Sequence, residues 1–452
     1  MTRIHVSDSG RVAVAVELQR LGAWVLDELP AMNRAVLGDQ VPPDLLTRVL
    51  RTEVLPGLPA PERLDPAEAR RQVVHLGLTG ASVARHFQER TPGGKSEPER
   101  AFDGLVVGAE QLPFRAYFAA LADRTGTGHC HRESYASLVR WNVGTVEVRL
   151  DDRPLAVLPG VFDDGRVRSY TGTGGEERFF VLVKSSEAVE LAVNDLLEPL
   201  GEDGVRLDSP DAVARLRLAT ALLRALRGLF VEFASRPAEL SMPAEHFMDV
   251  FRQFAVHWTP TDIPPSGALD PEALKRDFLL GIGIENYDQH VRRLFPALLT
   301  DERAALERLM ARPALPVRLL SELRVEPDRL AGADVVDLHR LVRDHPALLD
   351  WYRLLTAHAQ AAGSHLMLSK KFLFKPQSRR DLAGVGDKPL VSNRAGTTGM
   401  TETFLERLTR ARREHPLAAL RRVVTGETAD NGTPEAVPSP TGAASVAVAL
   451  VA

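Results

Sequence analysis

Helical periodicity in the second half of the chain places the strongest limit on its fold. Ser209-Pro210 predicts a helix start, because a Ser side chain can cap the first turn and Pro is favoured within it. An apolar stripe at helical spacing follows, until Pro237 ends it. Further helices are predicted over 243–258, 271–296, 301–311, 335–344 and 346–374. The pattern therefore predicts a large all-helical domain over 179–424.

The other segments are shorter and less regular. The sequence pattern of residues 1–150 is typical of helices that are separated by Pro- and Gly-rich turns. It predicts a smaller, mostly helical N-terminal domain. The stretch from Val143 to Leu150 alternates apolar and polar residues, as a strand does, so we expect a short connecting β element that extends to about residue 178. Residues 425–452 are rich in Thr, Pro, Gly, Ala and Ser, and we expect them to be disordered. The predicted fold class is mainly α.

Composition excludes several classes of protein. The 452 residues carry a net charge of −4, which gives no electrostatic case for nucleic acid or an anionic membrane as a partner. Cys130 is the only cysteine, so an intrachain disulfide and a cysteine-based metal site are both excluded. No apolar run approaches the ~20 residues of a membrane span, and the first residues lack a signal core. We therefore expect a cytoplasmic protein.

Two histidines lie on the helix predicted over 346–374. His365 stands among apolar residues, and His358 lies two turns earlier on nearly the same face. A helical His in apolar surroundings can hold a haem iron, although a partly buried structural His is the commoner case. Downstream lies the Gly396–Gly399 loop. Its Gly residues let a ligand come close to the backbone, and Thr397 offers a hydroxyl and an N–H to a polar group of that ligand. The alternative is a plain lead-in to the next helix.

A candidate anion-binding residue comes from another helix. Arg252 lies five positions after Phe247 among apolar residues, and Arg is suited to a bidentate grip on a carboxylate. The alternative is an exposed Arg252 that pairs with Asp249 or with a more distant acidic residue. The Ser266-Gly267 turn precedes a helix and offers donors to an anion, or is an ordinary loop.

Taken in order, these segments resemble the indoleamine 2,3-dioxygenase family, within the superfamily that includes tryptophan 2,3-dioxygenase. The resemblance extends over roughly 110–410 and is strongest from His365 to Pro376 and at Gly396–Gly399. It implies that His365 is the proximal ligand of the iron of haem b, and that Thr397 lies near the ammonium group of the substrate.

The resemblance also implies the walls of the pocket. It implies that Arg252 binds the carboxylate group of the substrate. It places four side chains around the indole ring: Tyr135, Phe179, Val183 and Phe247. It places four further residues beside the haem: Leu138, Ser266, Gly267 and Asp277.

The implied reaction belongs to tryptophan catabolism. Dioxygen on ferrous haem opens the indole C2–C3 bond of tryptophan or a related indoleamine, and the product is of the N-formylkynurenine type. An electron donor of unknown identity would reduce the haem, and the protein would be a monomer or a homodimer. Two alternatives stay open: a haem-dependent aromatic mono-oxygenase or rearranging enzyme of the same superfamily, and a non-catalytic haem-binding protein.

The chain departs from the family pattern at several positions. The family usually has the loop Gly-Thr-Gly-Gly-Thr, whereas Thr398 and Met400 stand at its third and fifth positions here. Val183 stands where a small polar residue is common. Ala362 replaces an Arg that in some members pairs with the carboxylate matching Asp277, so we expect that ion pair to be absent. These departures put the specificity for tryptophan in question more than the binding of haem.

Overall fold

The computed structural model describes residues 8–127, 131–151, 153–282, 284–384, 389–396, 399–426 and 446–451, with side chains from Val16 onward. The helices of the first half are α1 (Asp8–Ala23), α2 (Leu29–Leu37), α3 (Leu45–Val49), α4 (Pro66–Arg90), α5 (Phe114–Thr125), α6 (Gly174–Leu197) and α7 (Pro210–Ser235). Those of the second half are α8 (Pro271–Leu279), α9 (Tyr287–Leu294), α10 (Thr300–Met310), α11 (Leu315–Glu322), α12 (Pro327–Gly332), α13 (Val335–Asp344), α14 (Ala347–Ser369), α15 (Lys375–Leu382), α16 (Glu402–Arg413) and α17 (Arg421–Val424). The prediction of a mainly helical fold is confirmed.

Strands are few and short. β1 (Val106–Val107) and β2 (Leu112–Pro113) form an antiparallel pair. A second antiparallel sheet has the order β4-β3-β5, with β3 (Val146–Leu150), β4 (Arg153–Leu158) and β5 (Val446–Leu450). The β element predicted before residue 178 therefore exists, and a strand from the far end of the chain completes it.

That C-terminal strand corrects one expectation. Residues 446–450 were expected to be disordered, but β5 pairs along the whole of β3, with Val448 opposite Val148. The side chains of Val446 and Val448 pack against the core. Alternating Val and Ala suits a strand that is half buried. Residues 427–445 lie outside the described ranges.

Two predicted boundaries also differ from the structure. α6 begins at Gly174, so the boundary expected after residue 178 lies inside a helix. The helix expected over 271–296 is broken, because α8 ends at Leu279 and Gly281 follows with a φ of 74°, a conformation that Gly adopts readily. The division into two domains stays a prediction.

Two of the helices that line the main apolar cavity start at recognisable capping residues. Ser209 accepts a hydrogen bond from the Ala212 N–H (3.2 Å) and starts α7, as predicted. Asp270 accepts from the N–H groups of Glu272 (3.0 Å) and Ala273 (3.3 Å) and starts α8.

The packing of these helices fixes the site. α14 packs against α7 and α16, and α6 packs against α7 and α8. α14 is anchored by buried Trp351, Leu354 and Leu355. The helix continues without a break into a π-helical segment, Lys370–Phe374, in which Phe372, Leu373 and Phe374 are buried. None of the described helices combines the length and apolar character needed to cross a bilayer.

Candidate functional site

A cavity of about 310 Å³ lies between α6, α7, α8, α14 and α16, within the size range of small-molecule sites. All but two of the predicted site residues line it. They are Leu138, Phe179, Val183, Phe247, Arg252, Ser266, Gly267, Asp277 and His365.

Tyr135 and Thr397 are the two exceptions. Tyr135 is buried away from the cavity wall, where its hydroxyl donates to Glu187 Oε2 at 3.3 Å. Thr397 lies outside the described residues, as does Thr398. The ends of their loop are described: the Gly396 N–H donates to the Met400 carbonyl at 2.8 Å, and Gly396 and Met400 both line the cavity.

His365 presents an imidazole that is free to bind a ligand. Its ring lies 5.5 Å from that of Phe230, and neither ring nitrogen has a hydrogen-bond partner among the described residues. His365 is exposed where it lines the cavity, and the surrounding protein lowers its pKa by partial desolvation. Arg412 and Arg276 act in the same direction, against the Glu190 carboxylate. The ring is therefore neutral at physiological pH, which is the state that binds a metal.

His358, the other candidate, is fully buried and held by the protein. Its Nδ1 accepts from Arg276 Nε at 3.0 Å, so the ring proton resides on Nε2, 3.2 Å from Asp277 Oδ1. Burial lowers the pKa of His358 to about 4, so it stays neutral. Nδ1 is engaged by Arg276, and His358 is buried and does not line the cavity, so it is unsuited to bind a ligand there, whereas His365 is suited.

One end of the cavity is aromatic. The ring of Phe179 lies 5.5 Å from that of Phe247 and 5.4 Å from that of Phe251. The ring of Phe372 closes the group at 6.1 Å from Phe247. Such a wall favours a flat apolar or aromatic ligand.

Arg252 lies in the cavity wall beside this aromatic group and is only 8% exposed. Its Nη2 donates to the carbonyls of Ser392 (2.8 Å) and Ala395, while Nε is buried without a partner. Among the described residues no carboxylate pairs with it, and burial lowers its pKa to about 10. Asp249, the partner proposed as an alternative, instead pairs with Arg380 at 2.6 Å. The guanidinium is thus a buried cation with spare donors.

The opposite end of the cavity is ionic and was largely missed from the sequence. Glu190 Oε1 accepts from Arg276 Nη2 at 2.9 Å. Asp277 accepts from Arg412 Nη2 at 2.6 Å and from the Tyr287 hydroxyl at 2.7 Å. The ion pair with position 362 is absent, since that residue is Ala362, but Asp277 keeps a cationic partner because Arg412 pairs with it. The cation comes from α16 and not from position 362, because a bare buried carboxylate is costly and any helix that reaches it can supply the cation.

One of the missed residues carried a sequence signal. Along α6 the positions Phe179, Val183, Ser186 and Glu190 recur at helical spacing and line the cavity on one face. A charged residue on an otherwise apolar face is a usable indication of a site. Arg276 and Arg412 gave no such signal, because their partners come from distant helices.

The residues that line the cavity fit a haem. His365 would supply an imidazole ligand to its iron, and the aromatic end would supply apolar walls. Arg276 Nη1 is a buried donor without a partner, and the Ser266 side chain lines the same wall, so both can meet the haem carboxylates. Within the described ranges, no three His, Cys, Asp or Glu side chains come together in a group able to hold a bare metal ion. A haem iron needs only one protein ligand, because the porphyrin supplies the equatorial nitrogens.

No protein-family model matches the chain, and no curated protein matches it. The resemblance to the indoleamine 2,3-dioxygenase family therefore depends on the residues quoted above.

Proposed function

We propose that the chain is a haem-dependent oxygenase of an aromatic amino acid, and that it opens the indole ring of tryptophan or a related indoleamine. One observation carries the proposal: an uncommitted neutral imidazole, His365, and an unpaired buried guanidinium, Arg252, line the same apolar cavity. The first suits an axial iron ligand and the second suits the carboxylate of a substrate.

Haem, when bound, supplies the iron at which dioxygen is activated, and the chain supplies position and surroundings. Arg252 binds the substrate carboxylate through the donors that the Ser392 and Ala395 carbonyls leave free. Phe179 and Phe247 pack against the aromatic ring and exclude water. In the proposed reaction the indole C2–C3 bond breaks, and each carbon takes one oxygen atom of dioxygen, so no external reductant is consumed in the net reaction.

Among the described residues, no side chain at the aromatic end is placed to act as a general base. Val183 and Met400 line the cavity without a hydroxyl, and Phe179 and Phe247 are apolar. This agrees with chemistry that depends on the cofactor and not on proton abstraction by the protein.

A second reaction has one observation in its favour. Met400 stands where the family pattern has Thr, and it is buried and lines the cavity. An apolar side chain there favours a substrate or a product different from those of a tryptophan dioxygenase, such as mono-oxygenation of another aromatic. Mass spectrometry of the product formed under isotopic dioxygen separates the two reactions, because one incorporates both oxygen atoms and the other incorporates one.

The haem site is tested with His365→Gly. We expect the wild-type protein reconstituted with haemin to show a Soret band, and the variant to lose the proximal-histidine spectrum. Imidazole added to the variant should restore that spectrum by filling the space left by the side chain. His339→Ala, an exposed histidine on α13, serves as the control and should behave as wild type. An unaltered spectrum in His365→Gly would show that the iron ligand is elsewhere.

A further inference from the structure

A second cavity, separate from the one that His365 lines, lies between α1, α4 and the loop that follows β4. It has a volume of about 400 Å³, within the size range of small-molecule sites. Its most deeply buried polar side chains are Gln72 (1% exposed), His75 (4%) and Arg168 (3%). Among the described residues the two cavities have no lining residue in common, so this cavity is independent of the proposed haem site.

These three side chains have hydrogen-bonding atoms that the protein leaves unused. Both ring nitrogens of His75 are buried without a partner in the described part of the chain, and so are Gln72 Oε1 and Arg168 Nε. Burial, together with the Arg168 charge, lowers the pKa of His75 to about 3, so its neutral ring offers one donor and one acceptor. Gln72 adds an acceptor and Arg168 adds a donor. Because buried polar groups are normally paired, three unpaired ones around one cavity indicate a ligand.

The unpaired nitrogens are held in place around one aromatic ring. The ring of His75 lies 5.2 Å from that of Phe162. The guanidinium carbon of Arg168 lies over the same Phe162 ring, 3.4 Å from its centroid. Gly22 on α1 comes close to the imidazole, since a Cβ built on Gly22 would lie 3.3 Å from His75 Cε1. The donors and acceptors are therefore positioned before any ligand arrives, which favours binding.

The charges that line this cavity balance one another. Three arginines and three acidic residues contribute: Arg71, Arg166, Arg168, Asp27, Glu68 and Asp164. Arg166 pairs with Asp27 at 2.7 Å, and Arg168 pairs with Asp164 at 2.5 Å. Arg166, Asp27 and Asp164 are exposed and form a charged rim, whereas the unpaired atoms are buried. The cavity thus favours a neutral ligand over an anion or a cation.

We propose that this cavity binds a neutral, flat heterocycle with a lactam edge, of the kind found in the base of a nucleoside. A lactam presents an N–H beside a carbonyl. Gln72 Oε1 accepts from that N–H, and His75 or Arg168 Nε donates to the carbonyl. Phe162 gives the flat ring an apolar contact, and a substituent such as ribose extends to the exposed rim.

Isothermal titration calorimetry of the protein as purified tests the ligand class, with inosine and uridine as probes. We expect saturable binding of at least one of them. Its methylated counterpart, 1-methylinosine or 3-methyluridine, lacks the lactam proton and should bind at least about tenfold more weakly. Inorganic phosphate, the anionic probe, should not displace the nucleoside.

Three results of this titration would overturn the inference. If neither nucleoside binds saturably, water alone meets the unpaired groups. If the methylated nucleoside binds as well as its parent, the lactam edge is not recognised. If phosphate displaces the nucleoside, the arginines bind an anion.

The substitution Gln72→Met tests where the nucleoside binds, because it removes the acceptor at nearly constant volume. It should weaken binding at least about tenfold, and without ligand it should raise the melting temperature, since an unpaired buried acceptor is lost. The matched control is Gln88→Met on the same helix, where Gln88 Nε2 donates to the His257 carbonyl at 2.7 Å. The control should lower the melting temperature and leave the affinity unchanged. An equal fall in Gln72→Met would show that Gln72 is already paired and would refute the site.

A second variant, His75→Phe, keeps a ring against Phe162 and removes both nitrogens. It should also weaken nucleoside binding at least about tenfold. Wild-type affinity in both Gln72→Met and His75→Phe would show that the nucleoside binds elsewhere and would overturn the inference. Failure of the protein to bind haemin would contradict the proposed function alone, because no residue of this second cavity takes part in it.

Discussion

At the scale of single residues, Arg252 differs from the other buried arginines of the described chain. Arg132 pairs with Asp262 at 3.0 Å and Arg276 pairs with Glu190 at 2.9 Å. Arg85 and Arg168 likewise have acidic partners. An uncompensated buried charge costs several kcal/mol, roughly 3–5 when a partner is missing. The cost is recovered when an anion binds, which is the physical basis for giving Arg252 the substrate carboxylate.

Substitution of Arg252 tests that role. In the haem-loaded protein, Arg252→Gln should weaken tryptophan binding by about 2–4 kcal/mol, because a charge-assisted contact to the carboxylate is lost. The measurement is a titration followed by the haem spectrum. Arg379→Gln, at an exposed position of α15, should leave the affinity unchanged. Equal affinities in wild type and Arg252→Gln would exclude the carboxylate role.

At the scale of elements, α6 and β5 differ in how far the local sequence pattern predicts the structure. The cavity face of α6 follows from helical spacing alone, since Phe179, Val183 and Glu190 recur on one side. β5 has a clear alternation too, but an isolated five-residue strand is not stable by itself. Its existence depends on the free edge of β3 and on the core beneath it, to which Val448 contributes.

Alternation within β5 gives a matched pair of substitutions. Val448→Asp should lower the free energy of unfolding by about 1–3 kcal/mol, because it places a charge on the half-buried face. Ala449→Asp lies on the exposed face and should change it by less than about 0.5 kcal/mol. Urea denaturation of both variants measures the difference. Equal effects would mean that β5 does not pack on the core in solution.

At the scale of the whole molecule, a chain of buried polar groups joins four helices at the ionic end of the cavity. It extends from Glu190 on α6 through Arg276 on α8 and His358 on α14 to Asp277, and ends at Arg412 on α16. Every link is between groups distant in sequence. The chain therefore fixes how α6, α8, α14 and α16 meet around the cavity.

Removal of its central carboxylate tests this role. Asp277→Ala leaves Arg412 buried without a counter-ion and should cost about 3–5 kcal/mol in the free energy of unfolding at neutral pH. Asp337→Ala, which breaks an exposed pair with Arg340, should cost less than about 1 kcal/mol.

The loss should depend on pH with a definite sign. Burial by itself raises the pKa of Asp277, but Arg412 and His358 outweigh burial and hold that pKa well below its usual range. The folded state therefore binds the proton less readily than the unfolded state. The stabilisation by Asp277 is complete above the unfolded pKa of about 3.9 and is lost as the pH falls below it. Denaturation curves from neutral to acidic pH should show the wild type and Asp277→Ala converging, and a constant difference would contradict the ion pair.

The sequence by itself determined most of the helices and several site positions. The cap at Ser209 and the long helix of His365 follow from local chemistry, which neighbours in sequence decide. Phe179 and Phe247 were marked as candidates by the family resemblance, and Arg252 also by its apolar neighbours. Their chemical roles came from resemblance and stay proposals.

Only the tertiary structure decided which charges are paired and which are free. In the tertiary structure Arg412 pairs with Asp277, and Nδ1 of His358 accepts a hydrogen bond from Arg276. Arg252 has no acidic partner among the described residues. The tertiary structure also brought β5 to β3 across most of the chain. The reason is physical: pairing and burial depend on distances between residues remote in sequence, and local periodicity does not carry those distances.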